Sequence, residues 1–400
     1  MEKKFSMVIT AQHLFDGVNS SEYEGYLCLK DNRIVQKEKG KPSKEILEQS
    51  DHVLQFTEEL VMPGITDTHT FFTGYAVFHV GADLSEVRDN KKGLEILEAY
   101  EKKHNPKEVL LGHGWQPEKW NRQDGEQMLE ENYSDRPVIL FAADRSTCMM
   151  NLAAKKKYQF TPETCYPESY YRVMSAYLND REFIDQEFSD YMTLMNSRGV
   201  TTVKEMGFDD FYGFTEYLKE MEENDRLRMR IHFMSQPVGA PMNLPYARKM
   251  RDQFTGDKVR FSGFNRMTDG TIASGKGELK EAYAGKDYIC TENIPWEEIE
   301  ADVLKADEEG FRWSLHAQGD GAVGKIADIY EKCQKSGGKL KNRHAITDME
   351  FTSPDDLERL GKLGGSAELY FQIMSLDPAD VLIENINRTI GKERGKYYWN

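Results

Sequence analysis

From residue 60 onward, short apolar runs that end on polar residues alternate with charged segments of helical period. The runs are "GITDTHT", "TTVKEMG", "RMRIHFMS", "VRFSGFNRMTDG", "FRWSLHAQGD", "RHAITDMEF" and "GSAELYFQI". Between them lie stretches such as "GFTEYLKEMEENDR", "PWEEIEADVLKADEEG" and "DGAVGKIADIYEKCQKSG". Regular strand, helix, strand alternation argues for a parallel sheet, since a helix supplies the crossover that parallel neighbours need. Polar residues gathered at the strand ends favour an α/β barrel of the TIM type, whose strand ends converge on one face. The chain carries no phosphate-loop pattern, so a nucleotide-binding sheet is the weaker choice.

Two segments depart from that rhythm. Residues 1–60 read as a small all-β module, with "FSMVITAQHLF", "GYLCLKDNRIVQKEKG" and "HVLQFTEELVM" as strands and "KDNR" as a hairpin turn. Residues 61–400 then form the barrel domain. Within it, residues 71–200 hold "KEVLLGHGWQPEKWN" and "RPVILFAADRSTCMMN" and read as a large insertion after the first barrel strand. An insertion beyond a strand's C-terminal end covers the face on which barrel chemistry occurs, so a cap is expected.

Charge narrows the choice of partner. With 52 Lys+Arg against 68 Asp+Glu, a net −16 over 400 residues disfavours nucleic acid and anionic lipid. No uncharged run approaches membrane-spanning length and the start lacks a signal-peptide core, so the expectation is a cytoplasmic protein. Five scattered cysteines without CxxC spacing suit reduced thiols better than a disulfide framework or a thiolate zinc site.

At the ends of the expected strands stand His69, Asp144, Lys204, Glu205, Asn265, Asp269, His316, Asp320, His344 and Asp348. A barrel would bring histidines and carboxylates distant in sequence to one face. The plainer alternative is that a strand-end histidine is hydrogen-bonded structure and that Asp or Asn there caps the next helix. Asp320 reads as such a cap, or as a support for His316. Asp269 reads as a turn residue of an Asp-Gly pair, or as a group that orients a loop or touches substrate. Lys204 and Glu205 point to opposite faces of one strand, so one alone can face the barrel centre. Trp115 and Trp120 line a pocket or pack the cap.

The motifs themselves resemble a known family. "VMPGITDTHTFF" looks like the first-strand motif of the amidohydrolase superfamily, "RGVTTVKEMG" resembles its second strand and "LHAQGDGAV" is similar to its fifth. Their order, the preceding β-module and the insertion resemble the amidohydrolase 3 family, in the branch that includes N-substituted formamide deformylases. The resemblance implies a distorted TIM barrel, a β-sandwich shared by both termini, and hydrolysis of a non-peptide carbon–nitrogen bond of a small molecule by metal-activated water.

Taken position by position, the resemblance implies an altered metal site. His69 and His316 match family ligands. Phe71 stands where the second histidine of the first-strand pair belongs, Asn265 where a carboxylated lysine would bridge two ions, and Asp348 where the sixth-strand histidine belongs. Two readings follow. In one, His69, His316 and Asp348 hold at most one divalent ion, zinc, manganese or iron, weakly, with Asp348 or Asp320 as proton acceptor. In the other, the site is silent and the barrel serves as a binding or regulatory protein. Asn265, Asp269, Lys204 and Trp115 are the further candidates for substrate contact or support. The eighth-strand motif with its aspartate is expected beyond residue 400, which leaves an open sheet edge and a tendency to form homo-oligomers.

Overall fold

A computed structural model describes residues 3–144, 146–165, 172–206, 214–236, 241–369 and 378–398. The chain divides into two compact units, Met1–Ile65 and Thr66–Asn400.

In the first unit, β1 (Phe5–Leu14), β2 (Tyr23–Lys30), β3 (Arg33–Lys39) and β4 (Ser50–Val61) form one sheet in the order β3-β2-β1-β4. The β2–β3 hairpin turns on Asp31 at φ +54°, with Lys30 opposite Arg33. Asp tolerates that left-handed conformation, which a tight hairpin of this hand requires. Phe5, Val8, Tyr26 and Cys28 are buried on one face, and the short helix Lys44–Glu48 lays Ile46 and Leu47 against them.

The second unit is built on a sheet of seven strands that curls into a nearly closed barrel. Its first strand is β5 (Ile65–Thr70). The inserted segment follows, with its own sheet of β6 (Ala82–Asp83), β7 (Leu110–Trp115), β8 (Val138–Ala142) and β9 (Cys148–Met150). The barrel resumes with β10 (Val200–Met206), β11 (Arg230–Ser235), β12 (Val259–Met267) and β13 (Trp313–Ala317). A small hairpin, β14 (Lys335–Ser336) and β15 (Lys339–Leu340), precedes the last barrel strands β16 (Ala345–Asp348) and β17 (Ser366–Leu369). The barrel order is β17-β16-β13-β12-β11-β10-β5, and the strands from β10 to β17 run parallel. Helices fill the crossovers, among them Phe214–Glu223, Leu244–Gln253, Trp296–Glu308, Asp320–Lys332 and Pro354–Leu363. The barrel expected from the alternating pattern is therefore present. Residues 370–373 of the seventh-strand run lie outside the described residues.

One irregularity aims a site residue. Between Phe233 and Ser235 of β11, β12 spends one extra residue, passing from Phe261 to Phe264. Gly263 takes φ +109°, and a Cβ there would lie 2.0 Å from the Arg312 carbonyl oxygen, so only glycine fits. Because of the bulge, Phe261 and Phe264, three apart, share the outer face and pack on Phe311. Asn265, next to Phe264, turns to the interior.

The insertion is no loose cap. Leu84, Leu97, Trp115, Trp120, Leu129 and Leu140 form a core of its own under the helices Asn90–His104 and Arg122–Asn132.

Candidate functional site

The site begins with the two residues at adjacent strand ends that meet most closely. His316 of β13 and Asp348 of β16 face each other, Nε2 to Oδ2 at 2.5 Å, and both are buried. The His316 carbonyl accepts from the backbone N–H and hydroxyl of Thr268, which anchors the end of β13 to the loop after β12. Asp348 and Met349 are consecutive left-handed residues, at φ +69° and +52°. Such a conformation costs free energy for non-glycine residues and persists where the surroundings over-determine it. Here Met349 N–H donates to the Ala317 carbonyl and Phe351 N–H to that of Gln318, so the turn is stitched to the end of β13.

Two more carboxylates bear on the imidazole, Asp269 beside it and Glu350 through its charge. Asp269 Oδ1 lies 3.9 Å from His316 Nδ1, and Nδ1 has no hydrogen-bond partner among the described residues. Glu350, two residues after Asp348, is buried and accepts from the Tyr398 hydroxyl. Burial pulls the His316 imidazole toward neutrality, but Asp348, Asp269 and Glu350 outweigh it and hold its pKa above the ordinary value. Burial, reinforced by the Asp348 and Asp269 charges, raises Glu350 despite the Tyr398 bond and the nearby imidazole.

Asp269 serves the loops as well. Its carboxylate accepts from the backbone N–H groups of Gln318, Gly319 and Glu278, each at 2.9 Å, so it ties the loop after β12 to the loop after β13. Asp320 is the first residue of helix Asp320–Lys332, whose cap is Gly319, and its Oδ1 accepts from Lys280 N–H. It lines a cleft of about 380 Å³ together with Phe351, Thr352, Arg394 and Tyr397. Its carboxylate is thus spent on the neighbouring loop, not directed at His316.

His69, on β5, senses the same interior. Burial lowers its pKa to about 4; Asp348 and Glu368 oppose this, while Lys204 and His316 add to it. Its ring is 5.4 Å from that of Phe71, the residue in place of a second histidine. Lys204 faces inward, donating to Ser314 Oγ at 3.1 Å and pairing with Glu368 of β17, whose other oxygen takes Arg312. Burial brings Lys204 down to about 8 against the pull of Glu368. Glu205 occupies the opposite face, where Thr70, Tyr191 and the Phe72 N–H donate to it. Burial pushes its carboxyl up to about 7.

Apart from Asn265, the remaining sequence candidates lie elsewhere. Asn265 is buried with its amide 4.0 Å from Met206 Sδ. Trp115 sits in the insertion's core, its indole N–H donating to the Trp120 carbonyl, and Asp144 accepts from Ser146 in an exposed turn. His344 packs at the opposite end of the strands. The Trp313 backbone N–H donates to its Nδ1, and its Nε2 reaches Asp307 at 2.8 Å. With Cys333 these make the one group among the described residues whose three donor atoms lie within 4.8 Å of one another. His69, His316 and Asp348 surround a common interior without closing to that distance.

Sequence reasoning missed Glu350, Glu368, Arg312 and Tyr398. A signal existed for two of them: Glu350 follows Asp348 by two residues, and Glu368 is a carboxylate inside an otherwise apolar strand.

Comparison with known proteins places this geometry. Residues 57–398 match the Amidohydrolase family. The chain is 19% identical to "Protein LONG AFTER FAR-RED 3" of Arabidopsis thaliana over 97% of its own length and 71% of that protein. It is 21% identical to YtcJ of Bacillus subtilis (strain 168), over 70% of its own length and 57% of that protein. Among solved structures it resembles an uncharacterized metal-dependent hydrolase from Pyrococcus furiosus, with a TM-score of 0.71 and 18% identity, covering 98% of this chain and 82% of the other.

Proposed function

The chain belongs to the amidohydrolase family, and from that premise we propose that it is a hydrolase of a non-peptide carbon–nitrogen bond in a small molecule, dependent on one divalent ion. The observation that carries the reading is the buried His316 with carboxylates on both sides. An imidazole nitrogen without a hydrogen-bond partner among the described residues, beside hard oxygen donors, suits zinc, manganese or iron. His316 and Asp348 would hold the ion, with His69 toward the same interior. A bound ion would supply Lewis acidity toward a carbonyl and make water more acidic.

The chain's own residues divide the remaining work. Asp348 is in line to take a proton from water or to pass one through His316 Nε2, 2.5 Å away. His69, kept neutral by burial, stays a donor of electrons and not a cation. Asn265 cannot be carboxylated, which limits the site to a single ion. The finer assignment, to amide-like substrates of the formamide deformylase kind, rests on motif resemblance.

A second reading has its own support. The His316–Asp348 pair already engages Nε2, and the Lys204–Glu368 pair occupies the interior, as suits a silent binding protein. One experiment separates the two. Purified protein is dialysed against a mild chelator, its metals are counted by mass spectrometry, and it is assayed on N-formyl and N-acyl compounds. The hydrolase reading expects up to one ion, weakly held, and metal-dependent turnover. About two tightly held ions would restore a binuclear mechanism, and neither metal nor turnover would favour the silent protein.

A further inference from the structure

The charged groups of the barrel interior are matched with one another: Lys204 and Arg312 pair with Glu368, and His316 pairs with Asp348. Two neutral groups are left over. Asn265 is 3% exposed, and among the described residues the one polar contact of its side chain is Nδ2 to Met206 Sδ at 4.0 Å, a weak acceptor at long range. Thr347 is wholly buried, and its hydroxyl has no hydrogen-bond partner among the described residues. Both face the same space. Ile346 and Leu315 pack in the outer core, so Thr347 takes the inner face, in register with His316 on one side and Glu368 on the other. Asn265 is in register with Ser314, two residues before His316 and on the same face. Met206 and Met234, both buried and in register with each other, add an apolar wall. Burying an amide or a hydroxyl without a hydrogen bond is costly, and such groups mark places where function uses them.

We propose that the Asn265 carboxamide is the group that reads the substrate, and that it takes an uncharged compound whose amide N–H and carbonyl lie on the same side, as in a ring amide or a primary carboxamide. A carboxamide offers a donor and an acceptor along one edge, so two parallel hydrogen bonds form only with a partner that offers the converse pair along one edge. An acyclic secondary amide is trans, with its N–H and carbonyl pointing apart, and can form one of the two. A substrate carboxylate is disfavoured because the interior cations already have a partner in Glu368. Thr347 supplies a further hydrogen bond, and Met206 and Met234 the apolar surface that a small-molecule site needs. The bulge at Gly263 is what turns Asn265 to this interior. The inference rests on the hydrolase reading above for calling the ligand a substrate, and adds its chemical class.

The test titrates the whole chain, by ligand-observed nuclear magnetic resonance, with δ-valerolactam, its N-methyl derivative, propionamide, N-ethylacetamide and N-acetylglycine. Wild type is expected to bind δ-valerolactam or propionamide, and to bind the other three at least about tenfold more weakly. The better of the two ligands tells whether the substrate is a ring amide or a primary carboxamide. Asn265→Leu, close in volume, should weaken δ-valerolactam binding roughly ten- to hundredfold and bring it level with the N-methyl derivative. Thr347→Val, which removes the hydroxyl alone, should weaken it roughly three- to tenfold. The N-methyl comparison is made on wild type, so it decides the matter even if a variant does not fold. No saturable binding of δ-valerolactam or propionamide, equal affinity for the N-methyl derivative, or tighter binding of N-acetylglycine would overturn the inference. Binding that depends on Asn265 in a protein without metal or turnover would overturn the hydrolase reading and leave the recognition group standing. Turnover of N-formyl or N-acyl compounds that Asn265→Leu leaves unchanged would overturn this inference alone.

Discussion

A carboxylate buried on the outer face of β10 shows how one residue couples chemistry to stability. Glu205 titrates at about 7, against an ordinary 4.5, because burial outweighs the bonds from Phe72, Tyr191 and Thr70. With the folded value raised, the native state keeps a proton that the unfolded chain has released. The stability this proton supplies is fully present below the unfolded value and is lost as pH rises to about 7. Unfolding free energies of wild type and Glu205→Gln should therefore converge or cross by roughly 3 kcal/mol between acid and neutral pH. Parallel pH dependence in denaturant titrations would contradict this. On the inner face, Lys204→Ala leaves Glu368 with Arg312 alone and should cost about 3–5 kcal/mol in the same measurement. The strand's period of two showed that Lys204 and Glu205 must part, but not which of them faces in. That choice depends on Ser314, Glu368 and Tyr191, which lie far away in sequence. His69, His316 and Asp348 were legible because each ends a recognisable strand. Glu350 was not, because the hydroxyl that marks it is 48 residues away.

At the level of elements, the inserted sheet has a core of its own on one face, while Leu111, Ile139, Phe141, Cys148 and Met150 join the barrel's core. Trp115 is almost wholly buried in a core made only of insertion residues. Trp115→Ala should destabilise that core by about 3–5 kcal/mol. Hydrogen exchange should then quicken in β7 and β8 while β13 keeps its protection; uniform loss across both would mean that the two cores unfold together. Strands and helices of the barrel were readable because short runs buried throughout, apolar residues mixed with strand-end polar ones as in β13 and β16, recur between charged segments of helical period. The bulge at Gly263 was not readable. It arises from the close approach of the Arg312 carbonyl, a tertiary fact that leaves only a glycine in the sequence.

For the molecule as a whole, the seven-stranded order leaves β5 and β17 at its edges, and among the described residues no strand pairs with their outer sides. Unpaired strand edges template association. Sedimentation should therefore reveal concentration-dependent self-association, reduced by Leu369→Lys on β17, where the native side chain is 40% exposed. A monodisperse monomer at all concentrations would refute it. No helix among the described residues is long and apolar enough to cross a membrane. The opposite end of the barrel offers a built-in gauge of its assembly. The His344 ring is gripped at both nitrogens, by the Trp313 backbone and by Asp307, and has no exposed surface. Its Nε2 proton is thus shielded from solvent and should resonate far downfield in a proton spectrum. That signal needs the start of β13, the helix Trp296–Glu308 and the approach to β16 to be docked together. A refolded sample could be graded by one line, read in minutes, without any substrate being known.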